Sequence, residues 1–127
     1  MSKVKRISTG SPFEKTVGYS RAIVKGGWCF VAGVTGYDYT TMVMPEGITA
    51  QARSCFSTIK SVLDEAGFEM SDIVRLQYTV VDVELVDEVT PALGEAMGEI
   101  RPAATMVVAG LVKPEMLIEI EVTAFKG

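Results

Sequence analysis

The chain has 127 residues, 48% of them hydrophobic and 22% charged, with a net charge of -4. That length suits a single domain, 1–127, whose core needs neither metal nor disulfide. The apolar fraction exceeds what a small monomer hides easily, so a homo-oligomer is expected. The acidic balance excludes a basic nucleic-acid groove and an anionic-membrane surface.

Residues 4–8 read as a short strand, followed by the turn-rich Thr9-Gly10-Ser11-Pro12. Residues 21–24 and 28–34 read as a hairpin around Lys25-Gly26-Gly27, where both glycines are expected to supply positive φ. The loop 36–45 is polar and aromatic and contains Tyr37, Asp38 and Tyr39. Either this loop lines a pocket for a larger or cationic ligand, or it packs across a subunit boundary.

The clearest helix follows. Ile48, Ala52, Cys55, Phe56, Ile59, Val62, Leu63 and Ala66 form one apolar stripe that ends at Gly67. Gln51, Arg53, Ser57, Lys60, Ser61 and Asp64 take the opposite, solvated face. Residues 73–81 alternate as a strand, with Val74, Leu76, Tyr78 and Val80 inward and Arg75, Gln77 and Thr79 outward. A second helix lies within 85–97, with Thr90 as N-cap and Pro91 at its first position, because proline is tolerated there. Strands over 105–109 and 116–125 complete the sheet.

The last strand sends Met116, Ile118, Ile120, Val122 and Ala124 to one face. Leu117, Glu119, Glu121, Thr123 and Phe125 go to the other. The order β-β-β-α-β-α-β-β gives an α+β fold, a mixed sheet with two helices on one face. The semi-polar second face, with Glu121 paired to Arg75 or another base, then needs covering by a further subunit. Trp28 belongs to the core or to that interface.

The sequence contains no histidine and only two cysteines, Cys29 and Cys55. His-based triads and most zinc sites are therefore absent. The cysteines read as reduced core residues, and no signal peptide or membrane span is visible, which points to the cytoplasm.

Several segments carry a resemblance. They are Gly18-Tyr19-Ser20-Arg21-Ala22, Phe30-Val31-Ala32-Gly33, Gln51-Ala52-Arg53, Thr79-Val80-Val81-Asp82, and Arg101-Pro102-Ala103-Ala104-Thr105-Met106 leading to Glu119 and Glu121. In this order they resemble the YjgF/RidA (Rid) family of reactive-intermediate deaminases across nearly the whole chain. The C-terminal segment is the specific part. The resemblance implies a chorismate-mutase-like fold of the bacillus type and a homotrimer with clefts between subunits. It also implies cofactor-free hydrolysis of 2-imino acids, or their enamine tautomers, to 2-keto acids and ammonia.

By the same resemblance Glu119 holds the hydrolytic water and Tyr19 closes the pocket. Ala32, Gly33, Thr90, Arg101, Ala104, Thr105 and Met106 are the expected substrate-binding positions. Ala104 stands where RidA-type members carry the arginine that clamps the substrate carboxylate, a contact alanine cannot make. Ala32 replaces a common serine, Thr90 a common asparagine, and Met106 a small residue, often cysteine. Arg101 is a candidate substitute clamp or a rim salt-bridge residue, and as the residue before Pro102 it is expected to be extended.

The expected function is hydrolysis of an imine, enamine or related C–N bond in a small molecule, with a small carboxylate as one candidate ligand. The alternative is a non-catalytic trimeric ligand-binding or chaperone-like module. Ribonuclease activity is disfavoured by the charge balance and the missing histidine.

Overall fold

The computed structural model describes residues 3–127. Strand β1, Val4–Ile7, pairs antiparallel with β2, Ala22–Lys25, which turns into β3, Trp28–Thr35. Only Gly26 of the turn has positive φ, 58°. Gly27 is required for a different reason: a Cβ there would lie 2.5 Å from the Lys126 carbonyl oxygen.

Between β1 and β2 lies a short helix missing from the sequence expectation, α1, Pro12–Val17. Ser11 caps it by accepting from the Phe13 N–H at 3.3 Å, Pro12 opens it, and Gly18 ends it at φ 93°.

Helix α2, Ile48–Ala66, buries Ile48, Ala52, Cys55, Phe56, Ile59 and Leu63 in the core and ends at Gly67 with φ 85°. Gln51 is buried, not solvated. Its amide donates to the Pro45 and Glu115 carbonyls at 3.1 and 3.0 Å and accepts from the Leu117 N–H at 2.9 Å. A side chain that satisfies three loop backbone groups loses little by leaving water.

Strand β4, Ile73–Val80, alternates as expected except at Val74, which a register shift between Ile73 and Arg75 leaves 43% exposed. Helix α3 runs over Val86–Met97 with Pro91 inside it, so Thr90 is not its N-cap. The Thr90 hydroxyl donates to the Val86 carbonyl at 2.7 Å. The carbonyl that Pro91 cannot serve belongs to Asp87, an exposed residue of the first turn, which is where losing a helical N–H partner costs least.

Strands β5, Ala103–Val108, and β6, Ile118–Phe125, complete a six-stranded mixed sheet in the order β1-β2-β3-β6-β4-β5. Only β4 and β5 pair in parallel. On β6, Ile118, Ile120, Val122 and Ala124 are buried in the core formed with α2 and α3, so Glu119 and Glu121 face the other side. Trp28 is 42% exposed beside Phe125, at 4.5 Å between ring centroids, so it is not core in the single chain.

Candidate functional site

Strand β3 carries a bulge where it meets β6. Val31 pairs with Val122 and Val34 with Ile120, so Ala32 and Gly33 are accommodated opposite a single residue. A bulge turns backbone carbonyls out of the ladder, and something must receive them. Arg21, 1% exposed, does so: its guanidinium donates to the Gly33 carbonyl at 2.6 Å and to that of Ala32 at 3.3 Å.

The same guanidinium reaches the Tyr19 hydroxyl at 3.4 Å and lies 4.7 Å from the centre of the Tyr39 ring. Its charge is balanced by buried Glu14 of α1, with Nε and Oε2 3.6 Å apart, although Nε has no hydrogen-bond partner. Glu14 also accepts from the Ser8 hydroxyl at 2.8 Å, from the Thr9 N–H at 3.2 Å, and from the Thr9 hydroxyl.

Glu119 lies directly over the bulge. A Cβ on Gly33 would sit 2.5 Å from the Glu119 carboxyl carbon and 2.8 Å from each of its oxygens. Glycine therefore leaves the space that the carboxylate fills. Burial raises the Glu119 pKa, the like charge of Glu121 raises it further, and Arg21 opposes both. Burial likewise raises the Tyr19 hydroxyl, with Arg21 opposing.

Above this floor opens a cleft of about 330 Å3. Phe13 and Val17 of α1, with Tyr19, Tyr39, Val112 and Met116, form its walls. Ala32, Gly33, Thr35 and Glu119 form the rest of its lining. The Tyr39 hydroxyl accepts from the Thr35 N–H at 3.0 Å, which fixes the ring across the end of β3. Gln51 ties the loops that bring in Tyr39 and Met116. Tyr37 is buried and donates to the Glu115 carboxylate, which lowers the pKa of Glu115 and contributes, after burial, to raising that of Tyr37 to about 12.

The expected residues Tyr19, Ala32, Gly33 and Glu119 thus meet in one cleft. The others do not join it within one chain. Thr90 is exposed on α3, while Ala104, Thr105 and Met106 sit on edge strand β5, separated from β3 by β6 and β4. Arg101 lies four residues past the end of α3, its N–H donating to the Met97 carbonyl at 2.8 Å, and takes a left-handed φ of 51° rather than an extended one. It forms no ion pair among the described residues, and neither does Glu121; Arg75 donates instead to the Leu76 carbonyl at 3.0 Å.

Sequence reasoning missed Arg21, Phe13 and Val17, and it left the role of Tyr39 open. Ser11-Pro12-Phe13-Glu14 followed by Gly18 is a readable start and stop for α1, and would have brought Phe13 and Val17 to notice.

A second cleft of about 330 Å3 lies between α2 and the loops that follow β1 and β3, lined by hydroxyls that include Ser8, Thr9, Ser54 and Ser57. Its two acids, Asp38 and Glu65, are exposed, so no carboxylate there is held out of water. Among the described residues no group of three or more His, Cys, Asp or Glu is placed to hold a metal ion. Cys29 and Cys55 are buried free thiols whose pKa values burial raises. No helix among the described residues is long and apolar enough to cross a membrane.

The family model described as endoribonuclease L-PSP matches residues 9–126. The chain belongs to this family, the YjgF/RidA family. Among its Rid relatives is a RutC family protein of Pyrococcus horikoshii, 32% identical over 109 residues, which span 85% of this chain and 86% of the relative. A solved YjgF family member from Mycobacterium tuberculosis is 38% identical, with a TM-score of 0.88 over 98% of this chain and 100% of that one. RidA from an Antarctic Psychrobacter is 27% identical, with a TM-score of 0.80 over 86% and 89% of the two chains.

Proposed function

We propose that this Rid-family chain hydrolyses a small imine or enamine in a cleft completed by a neighbouring subunit of a homotrimer, with Glu119 holding the attacking water. The observation that carries this is the Glu119 carboxylate. It is partly buried over Gly33, raised in pKa by burial, and aimed into an apolar cleft. A carboxylate whose pKa is raised is a stronger general base.

In the proposed reaction, water adds to the carbon of a protonated imine. Its proton passes to Glu119 as the C=N π electrons move to nitrogen. Glu119 then returns the proton to nitrogen and the C–N bond breaks as the hydroxyl oxygen forms the C=O bond. The hydroxyl proton leaves with ammonia, so a protonated imine and water give a carbonyl compound and ammonium. Tyr19, whose oxygen receives a hydrogen bond from Arg21, is left with its own O–H to donate to ligand or water.

The trimer is supported by unspent apolar surface. All six residues of β5 are exposed, with Val107 at 37% and Val108 at 49%. Val17 and Val112 on the cleft walls are exposed at 71% and 84%. A subunit seated there would cover these groups and bring its own β5 toward the cleft.

Ala104 supports a second reading, a trimeric ligand-binding module without turnover, because no arginine stands at the clamp position. Ammonia release from imines generated in situ from a panel of amino acids and amines separates the two. Acceleration of at least one imine, abolished in Glu119→Ala, is expected. Acceleration of none, together with a ligand-induced rise in melting temperature, would support the binding module instead.

A further inference from the structure

The cleft has a one-sided charge. Among the described residues of the chain, Glu119 is its only lining carboxylate, and no lysine or arginine lines it. The nearest buried cation, Arg21, is 1% exposed and already engaged by the Ala32 and Gly33 carbonyls, the Tyr19 hydroxyl and Glu14. It is part of the floor and is not available to an incoming anion. Exposed Lys113 sits at the outer edge, 5.7 Å from the centre of the Phe13 ring, where water screens it.

The walls have the complementary property. Phe13, Tyr19 and Tyr39 bring three aromatic rings around the space above Glu119. Ring faces attract cations and repel anions, and a partly desolvated carboxylate does the same more strongly. A carboxylate-bearing ligand would enter this space against Glu119 with no cation in the lining to offset the repulsion.

We propose that the cleft selects a cationic imine that lacks a carboxylate, an iminium carried on an aromatic or apolar group. This rests on the imine-hydrolase reading for its chemistry, but its selectivity is separable from turnover. The iminium carbon is the electrophile, Glu119 pairs with the charge and deprotonates the water, and the rings hold the substituent. On addition of water the positive charge on nitrogen is neutralised as the proton moves to Glu119, so the net charge of the site is unchanged through the step.

The test uses stable probes on the full-length protein. Isothermal titration calorimetry compares benzyltrimethylammonium with phenylacetate, which share an aromatic ring and differ in charge. Cation binding about tenfold or more tighter than anion binding is expected, the factor falling toward unity in Glu119→Gln and the cation weakening in Tyr39→Leu. Equal affinities, tighter binding of phenylacetate, or binding of neither probe would overturn the proposal.

Turnover is read separately. The imine released when a flavin amine oxidase acts on benzylamine is compared with the 2-imino acid formed from phenylalanine. Cation preference with no turnover of either imine removes the hydrolase function and leaves the selectivity standing. Preferential turnover of the imino acid overturns the selectivity and leaves the hydrolase function standing.

Discussion

Substituting Gly33 by alanine isolates the position of the Glu119 carboxylate from its chemistry. The added Cβ would lie 2.5 Å from the carboxyl carbon, whereas ordinary contact begins at 3.4 Å. The carboxyl must therefore retreat by about 0.9 Å, because the bulge carbonyls are held by Arg21 and the strand cannot move as easily. A displacement of this size at a reacting centre lowers rates by roughly 100-fold. Stability should change by less than about 1 kcal/mol, since Gly33 does not have positive φ and alanine restricts the unfolded chain. Ammonia release under kcat/KM conditions and thermal melting, measured on the same preparation, read the two effects. A Gly33→Ala protein that melts like wild type and hydrolyses imines at the wild-type rate would refute the placement of the hydrolytic water by Glu119.

Other outcomes follow from the same geometry. Arg21→Met leaves Glu14 buried without its counter-charge and frees the bulge carbonyls, a loss of about 3–5 kcal/mol in urea unfolding. Adding Glu14→Gln should recover part of it, and a loss below about 1 kcal/mol would contradict the structural role given to the pair. Glu119→Gln should raise the melting temperature at neutral pH. The folded pKa of Glu119 lies above its unfolded value, so its ionisation destabilises the fold as pH rises through that interval. The gain should vanish in acid below the unfolded carboxylate pKa, where both states are protonated, and a gain independent of pH would contradict it. Val107→Glu places a charge on the exposed edge strand β5. Light scattering should give a trimer for the wild type and a smaller species for the variant, whereas a wild-type monomer would remove the intersubunit cleft.

Much of the fold was legible because its periodicities are strong. The α2 stripe, the alternation of β6 and the hairpin at Gly26 all follow from residue spacing. The misassignments have local physical causes. Pro91 reads as a helix start, yet the 3-10 turn at Val83–Leu85 has already begun the helix, and the carbonyl Pro91 leaves without an N–H is that of exposed Asp87. Gln51 reads as solvated because nothing in a helical pattern announces that loop carbonyls will come to meet it. Tyr19, Ala32, Gly33 and Glu119, which meet in the cleft, are expected site residues through family resemblance alone. Arg21 is not, because a charged residue beside a strand reads as surface until the bulge it serves is known. Arg101 departs from the extended backbone expected before Pro102 because the helix end holds its N–H.

The most direct measurement is the pH dependence of kcat/KM for imine hydrolysis in wild type and Glu119→Gln, compared on one substrate. The wild-type rate should rise on the acid side through an ionisation raised by burial above that of a free glutamate, as Glu119 loses its proton and becomes able to accept one from water. That limb should disappear in Glu119→Gln along with most of the activity. An identical profile and comparable rate in the variant would contradict the assignment of Glu119 as the base.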